Sequence, residues 1–153
     1  MPKAVDIQFL KLIHDVFDSV FTKYGFSIQE EEIWLQPETA VFARKDEIAL
    51  GFRLGSSRLF WYFSLEIELS GNLGEKATSD SHYRGLGVTA IAQCLDPSYK
   101  RKIKAAQTED ELRELMESQK EEFLKYCEGI LLGDVSNWQK VVDCLKEKSK
   151  KSE

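Results

Sequence analysis

The segment from residue 59 to residue 69 alternates between two kinds of side chain, as a half-buried β-strand does. Its even-numbered side chains change from aromatic, at Phe60 and Tyr62, to acidic, at Glu66 and Glu68. Its odd-numbered side chains are all apolar: Leu59, Trp61, Phe63, Leu65, Ile67 and Leu69. The pattern predicts a strand with its odd face in the core and with an outer face that has an aromatic end and an acidic end.

Three further segments of strand character precede this one, and a helical pattern precedes those. Apolar residues recur at helical spacing from about Asp6 to Lys23, which predicts an amphipathic helix that Gly25 ends. The predicted strands are Phe26–Leu35, Thr39–Arg44, Glu47–Leu54 and Leu59–Leu69. This order predicts an α+β fold, in which an antiparallel four-stranded meander is flanked by an N-terminal helix and several C-terminal helices.

The register of the last two strands is predicted from burial. Pairing Leu54 with Leu59 keeps the apolar residues of both strands on one face, whereas a shift of one residue would bring Arg53 to that face. The pairing places Arg53 beside Phe60 on the outer face, and a two-residue turn before the third strand would place Phe42 there too. The predicted contact residues on this face are Phe42, Arg53, Phe60 and Tyr62.

The aromatic end of this outer face has three possible covers. We expect the chain's own helices or a second subunit to lie on it, because large apolar patches are seldom left in water. A foreign protein partner is the alternative, since aromatic residues and arginine carry much of the binding energy in protein interfaces.

Residues 70–85 lack an apolar period and are predicted to form a long loop. The loop ends in the densest group of chemically capable side chains in the chain, beginning at Asp80. His82, Tyr83 and Arg84 are therefore added to the predicted partner contacts. A catalytic role for His82 is an alternative, but solvated loop residues of these types are common and adjacency in sequence is not catalytic geometry.

The remainder of the chain is predicted to be helical. Thr108 begins a capping box, and the long helix that follows runs to about Leu132, with Gly133 as its stop signal. The apolar seam of this helix is interrupted at Gln119. The last residues are rich in lysine and are expected to be solvated.

Length and charge narrow the class of protein. A chain of 153 residues suffices for one domain with a core, so we predict a single α+β domain over residues 1–148 and a disordered tail over residues 149–153. The 26 acidic and 21 basic residues give a net charge of -5. Binding to nucleic acid or to an anionic membrane requires a basic surface, so neither is predicted, whereas a basic protein partner is compatible with this charge.

The cysteines and the N-terminal segment bear on the compartment. Cys94, Cys127 and Cys144 are far apart, form no CxxC motif and lie among apolar residues, so we interpret them as buried free thiols in a reducing compartment. Charges at Lys3 and Asp6 fit no signal peptide, and no apolar run approaches the roughly 18 residues of a membrane span. The predicted location is cytoplasmic.

Common enzymatic motifs are absent from the sequence. It contains no GxxxxGK[ST], HExxH, GxSxG or GxGxxG pattern, and His14 and His82 are its only histidines. Glu66 and Glu68 share a strand face, but cross-strand pairing of Glu68 with Lys45 is preferred to a metal or acid–base role. We predict no catalytic residue, metal or cofactor, and we favour a non-enzymatic protein while leaving enzymatic activity open.

A phrase near the C-terminus adds a resemblance. The segment YCEGILLGDVSNWQKV, from Tyr126 to Val141, resembles the end of several families of small acidic bacterial proteins of unknown function. Some proteins of this general build are immunity proteins, which bind and block a toxin made by the same cell. The resemblance implies protein binding and carries no catalytic motif. Within the phrase, Gly133 is expected to end a helix and Trp138 to be buried against the sheet.

These observations lead to two functional hypotheses from different classes. The favoured one is a non-enzymatic protein-binding module, with immunity-type inhibition of a basic toxin enzyme as its specific form and a homodimer as a further possibility. The rival is a small-molecule-binding domain or enzyme whose pocket lies between the sheet and the 70–85 loop. In that case His82 and Arg84 would stand at the mouth of the pocket.

Overall fold

An antiparallel sheet of five strands, in the order β1-β2-β3-β4-β5, forms one layer of the protein. The computed structural model describes residues 4–34, 39–56, 59–101 and 105–151. The strands are β1 Ser27–Trp34, β2 Thr39–Lys45, β3 Ile48–Ser56, β4 Trp61–Leu69 and β5 Gly85–Gly87. The helices are α1 Ala4–Tyr24, α2 Gly71–Ala77, α3 Val88–Leu95, α4 Glu109–Leu131 and α5 Trp138–Lys151, and Ser81–Tyr83 forms a 3₁₀ turn. The predicted α+β class is confirmed.

The odd face of β4 lies in the core, as its alternation predicts. Phe63, Leu65, Ile67 and Leu69 are each at most 4% exposed. The N-terminal helix packs on this face through aromatic rings, with the Phe17 and Phe52 centroids 4.9 Å apart and those of Phe9 and Phe63 5.9 Å apart. Helices α3 and α4 also contact β4. The helices α1, α3 and α4 therefore form the second layer, over one face of the sheet.

The predicted pairing of Leu54 with Leu59 is wrong, although the predicted faces are right. Leu54 pairs with Phe63 and Leu50 pairs with Ile67, a register shifted by four residues along β4. Side chains in a strand repeat every two residues, so burial excludes odd shifts and cannot distinguish even ones. Leu59 consequently lies outside the strand and is 70% exposed.

The prediction of four strands and a loop over residues 70–85 also needs correction. That segment contains α2, the 3₁₀ turn and the first residue of β5, the fifth strand. The start of α2 is stabilised by a residue that is far away in sequence. The Glu47 carboxylate accepts the backbone N–H groups of Asn72, at 2.7 Å, and Leu73, at 3.3 Å. A helix of seven residues without its own apolar period leaves little signal in the local sequence.

The long helix begins and ends where its signals predict. The Thr108 side chain accepts the N–H of Glu111 at 3.1 Å, and Gly133 follows the helix with φ +90°. The interruption of its apolar seam at Gln119 has a structural reason. Gln119 is 1% exposed, and its amide donates to the Phe63 carbonyl at 2.7 Å and accepts the Leu65 N–H at 3.2 Å.

Gln119 thus completes one edge of the sheet. The short strand β5 pairs only with residues 66–68 of β4, and Trp61 forms an isolated bridge with Ala106. Between these two pairings, the Gln119 side chain satisfies the backbone groups of β4 that another strand would otherwise bind. Burying this amide is favourable because both of its ends are hydrogen-bonded.

The interpretation of all three cysteines as free thiols is wrong. Cys94 of α3 and Cys144 of α5 form a disulfide with their Cα atoms 6.1 Å apart, and only Cys127 is free. Disulfides persist mainly in oxidising compartments, so the cysteines no longer support a reducing one. The cytoplasmic location stays a prediction. The predicted N-terminal helix is α1, which the structure describes from Ala4 onwards. Helix α5 extends to Lys151, and residues 152–153 of the predicted tail lie outside the described part of the chain.

Candidate functional site

The hairpin between β3 and β4 carries a group of exposed apolar side chains. Leu59 is 70% exposed, Phe60 37% and Tyr62 47%. Among the residues whose side chains the structure describes, the only other large apolar side chain of comparable exposure is Leu132, at the end of α4. We call Leu59, Phe60 and Tyr62 the hairpin surface, and it is the first candidate site.

The local sequence places this group at the tip for a simple reason. Strand β3 continues to Ser56 and β4 begins at Trp61, so Leu59 and Phe60 belong to the connection. A connection has no sheet partner that would bury its side chains. Trp61 points to the inner side and is half-buried, and its backbone exchanges two hydrogen bonds with Ala106, at 2.7 and 2.9 Å.

The outer face of the sheet holds a second group of the predicted residues. Arg53 donates from Nε to Glu66 Oε1 at 2.6 Å, and its guanidinium lies 5.5 Å from the centroid of the Phe42 ring. The predicted contact of Arg53 with Phe60 is therefore wrong, and the neighbours of Arg53 are Glu66 and Phe42. The Arg53 and Glu66 side chains are 38% and 26% exposed, which makes this a partly buried ion pair.

Gly51 provides the space for this arrangement. A Cβ atom at this position would lie 2.9 Å from Glu66 Cγ and 3.1 Å from Phe42 Cε1. Phe42 pairs with Gly51 across the strands, and Gly51 pairs with Glu66. A glycine between an aromatic ring and a carboxylate side chain therefore lets both lie against the sheet beneath Arg53.

Within the described part of the chain, no helix covers the aromatic end of the outer face, contrary to one of the two expected covers. Phe60 and Tyr62 are exposed, and α1, α3 and α4 contact the opposite face through the core. A second subunit and a foreign partner remain as the two possible covers.

The predicted contacts of the 70–85 segment lie elsewhere. The backbone of Arg84 accepts the Leu69 N–H at 2.8 Å, at the far end of β4 from Tyr62. Tyr62 and Leu69 are seven positions apart, or about 23 Å at roughly 3.3 Å per residue. His82, Tyr83 and Arg84 therefore do not form one surface with Phe60 and Tyr62.

The C-terminal helix holds this second group in place. The Trp138 indole N–H donates to the Tyr83 carbonyl at 2.9 Å, and Lys146 Nζ lies 5.2 Å from the centroid of the Tyr83 ring. Trp138 is 2% exposed, which confirms its predicted burial, and its polar contact is to the 3₁₀ turn; the predicted contact with the sheet stays a prediction. Tyr83 and Arg84 are half-buried, and His82 is exposed. The geometry makes Tyr83 a packing residue.

An ion pair next to this turn shifts two pKa values. Lys146 Nζ lies 3.0 Å from Asp80 Oδ2, and Asp80 also accepts the His82 N–H at 3.1 Å. These contacts, with Lys146 the larger, hold the pKa of Asp80 below its ordinary value. The Asp80 carboxylate in turn raises the pKa of Lys146. Both groups are therefore charged at neutral pH, and they stabilise the attachment of α5.

The rival hypothesis placed a pocket between the sheet and the 70–85 segment. A cavity of about 320 Å³ does lie beside α2, and its lining residues are Lys45, Asp46, Glu47, Ile48, Leu73, Leu131, Leu132 and Gly133. His82 and Arg84 are not among them. The residues proposed for the mouth of that pocket therefore lie away from the cavity.

Comparisons with known proteins returned no matching family model, curated protein or solved structure. Over the described ranges, none of the helices is both long enough and apolar enough to cross a membrane. The same part of the chain contains no group of three or more His, Cys, Asp or Glu side chains arranged to hold a metal ion. The resemblance to immunity proteins stays a prediction.

Sequence reasoning missed Leu59 as a site residue and assigned it to the core. The available signal is the run of five apolar residues from Leu59 to Phe63. Consecutive side chains of a strand point to opposite faces, so one buried face cannot accommodate all five. It also missed Glu66 as the partner of Arg53, because that contact depends on the four-residue difference in register.

Proposed function

We propose that this chain is a non-enzymatic protein-binding module and that the hairpin surface is its contact. The observation that supports the proposal most strongly is the exposure of three large apolar side chains within four positions of one hairpin, namely Leu59, Phe60 and Tyr62. A contiguous apolar patch in water is unfavourable, and burying it against a partner recovers the hydrophobic free energy. Aromatic side chains are also enriched at the energetic centres of interfaces.

The chemistry of the partner follows from charge. The chain has 26 acidic and 21 basic residues and therefore a net charge of -5. Opposite charge around an apolar centre accelerates association and selects against acidic partners. We therefore propose a basic protein as the partner, and immunity-type inhibition of a basic bacterial toxin enzyme as the specific function.

The histidines add little support for an enzymatic reading. His14 lies on α1, where its Nδ1 is 3.0 Å from Asp18 Oδ1, and both side chains are about half exposed or more, at 48% and 64%. His82 is exposed on the 3₁₀ turn. General acid–base catalysis needs a positioned group beside a substrate site, and these two imidazoles are oriented toward water.

The test is affinity capture with a matched pair of variants. The double variant Leu59→Ser/Phe60→Ser removes the centre of the hairpin surface. Leu132→Ser is the control. Leu132 is 70% exposed, the same as Leu59, and lies at the C-terminal end of α4. We expect the wild type and Leu132→Ser to retain one dominant basic protein from native lysate and the double variant to lose it.

The proposal fails if all three proteins retain the same set, or if none retains a partner while a small ligand co-purifies. To support the immunity function, an equimolar amount of this chain must also abolish the enzymatic activity of the captured protein. A homodimer is distinguished by light scattering, since the wild type would then have twice the mass of the double variant without any added protein.

A further inference from the structure

The second half of α5 is held to the protein more weakly than the first half. In the first half, Trp138, Val141 and Val142 are at most 2% exposed and belong to the core. Over residues 143–150, by contrast, every side chain is half-buried or exposed. We call residues 143–151 the strap. Because little apolar surface of the strap is removed from water, hydrophobic burial does little to fix it in place.

The strap lies against the 3₁₀ turn through Lys146. Lys146 Nζ is 3.0 Å from Asp80 Oδ2 and 5.2 Å from the centroid of the Tyr83 ring. The Lys146 and Asp80 side chains are 41% and 28% exposed, and ion pairs this open to water contribute little to stability. The strap also carries four lysines over positions 146–151, and like charges that are close together on a helix repel one another. These contacts therefore order the strap only weakly by themselves.

A covalent bond supplies the stronger attachment. Cys144 of the strap is bonded to Cys94 of α3, with Cα atoms 6.1 Å apart. Helix α3 is itself fixed in the core, since Ile91 and Ala92 are at most 2% exposed. A helical segment as short as the strap is marginal in water without such an anchor. The strap is therefore expected to lose its place when the bond is broken.

The bond lies where a reductant can reach it. Cys94 and Cys144 are both half-buried, and their neighbours Gln93 and Asp143 are exposed. The side chain of Cys127, in contrast, is 0% exposed. Disulfides that are accessible to solvent exchange readily with other thiols, whereas sealed ones serve as permanent structural bonds. The accessible position of this bond favours a reversible role.

We propose that the Cys94–Cys144 disulfide is a redox latch that holds the strap on the 3₁₀ turn when oxidised and releases it when reduced. The reductant is a dithiol. One of its thiolates attacks a sulfur of the bond, and the other cysteine sulfur leaves as a thiolate and takes up a proton. The second thiol of the reductant then displaces the remaining cysteine. Two cysteine thiols and the oxidised reductant result, so the electrons and protons balance.

Release of the strap changes what the turn offers to a partner. Lys146 then no longer covers the Tyr83 ring or neutralises the Asp80 carboxylate. His82, Tyr83 and Arg84 are the contacts predicted from the sequence, and the latch makes the Tyr83 ring accessible in the reduced protein. The turn lies near the other end of β4 from the hairpin surface, so this inference does not rest on the proposed function.

The latch is tested by NMR of the isotope-labelled protein, first oxidised and then reduced with dithiothreitol without denaturant. We expect the heteronuclear NOE of the strap amides to fall on reduction to the values of a flexible tail, while the amides of β3 and β4 keep theirs. The pKa of Asp80 should rise toward its ordinary value on reduction, because the contact with Lys146 is the largest cause of its lowering. A soluble gadolinium chelate should broaden the Tyr83 ring signals more in the reduced protein. It should broaden those of the exposed Tyr62 equally in both forms.

Two variants separate the latch from the other contacts of the strap. Cys94→Ser/Cys144→Ser should have a mobile strap both with and without dithiothreitol, which controls for effects of the reagent. Lys146→Gln removes the ion pair and keeps the disulfide, so its strap should stay ordered in the oxidised protein. Reoxidation of the reduced wild type should restore the original NOE values, since a latch has to close as well as open.

Several results would overturn the proposal. One is a disulfide that dithiothreitol does not reduce without denaturant, because the bond would then be a permanent one. Another is reduction that leaves the strap ordered, or that unfolds the whole domain including β3 and β4. A mobile strap in oxidised Lys146→Gln would also overturn it, because the ion pair would then be the attachment that matters.

Discussion

Reduction of the Cys94–Cys144 disulfide should destabilise the protein strongly. The bond joins α3 to α5 across a sequence separation of 50 residues. It restricts the unfolded chain far more than the folded one, because these helices already pack together in the native state. The chain-entropy relation for a loop of this length gives about 4 kcal/mol at 25 °C, a large part of the stability of an ordinary domain.

The assay is equilibrium unfolding in urea with and without a reducing agent. With a slope of about 2 kcal/mol per molar urea, a loss of about 4 kcal/mol lowers the midpoint by about 2 M. The double variant Cys94→Ser/Cys144→Ser should unfold at the same low midpoint in both conditions. Its matched control is Cys127→Ser, which keeps the bond and should respond to reduction as the wild type does.

Thiol counting provides an independent check. Burial raises the pKa of Cys127 to about 12, and its side chain is 0% exposed, so it should not react with iodoacetamide in the folded protein. Denatured but unreduced protein should take up one label and reduced protein three. Three labels without reduction, or an unfolding midpoint that reduction leaves unchanged, would refute the reasoning.

Three further predictions concern single positions. Gln119→Leu leaves the Leu65 N–H of β4 without its buried partner, whereas the Phe63 carbonyl keeps its hydrogen bond from Arg101. The variant should therefore cost about 1–3 kcal/mol in urea unfolding. The exposed Gln93→Leu should cost little, and equal losses would contradict the edge role of Gln119. Gly71→Ala places a Cβ on the Glu47 carboxylate at φ +56°, so it should cost about 2–3 kcal/mol, whereas Gly87→Ala meets open space and serves as the control. The pKa of Asp80 is lowered in the folded protein. The contribution of Asp80 to stability is therefore present above its unfolded pKa of about 3.9 and is lost as the pH falls through the lower folded value. Lys146→Gln should move the pKa of Asp80, measured by NMR, upward, and no movement would exclude the ion pair.

Local signals were sufficient wherever one element determines its own structure. The alternation along β4 predicts the buried set from Phe63 to Leu69, and Thr108 and Gly133 mark the ends of α4. Each of these features depends on periodicity, on a hydroxyl that caps a helix or on a backbone that needs positive φ. They can be read from a few neighbouring residues.

The features that were missed depend on residues far apart in the chain. The predicted β3–β4 register differs from the observed one by four residues, because burial permits any even shift. The start of α2 is capped by Glu47, which belongs to another hairpin. The Cys94–Cys144 bond requires two helices to meet. For the candidate site, sequence reasoning placed Phe60 and Tyr62 on the outer face but expected a cover over them, and it grouped them with His82, which lies near the other end of β4.

The central claim is that the hairpin surface contacts a protein partner. Site-specific photocrosslinking tests it most directly, with a photoreactive phenylalanine analogue at position 59 in one sample and at position 132 in the other, since both leucines are 70% exposed. The account predicts one discrete crosslinked protein from position 59 and none from position 132. The same products from both positions, or no product from position 59, would contradict it.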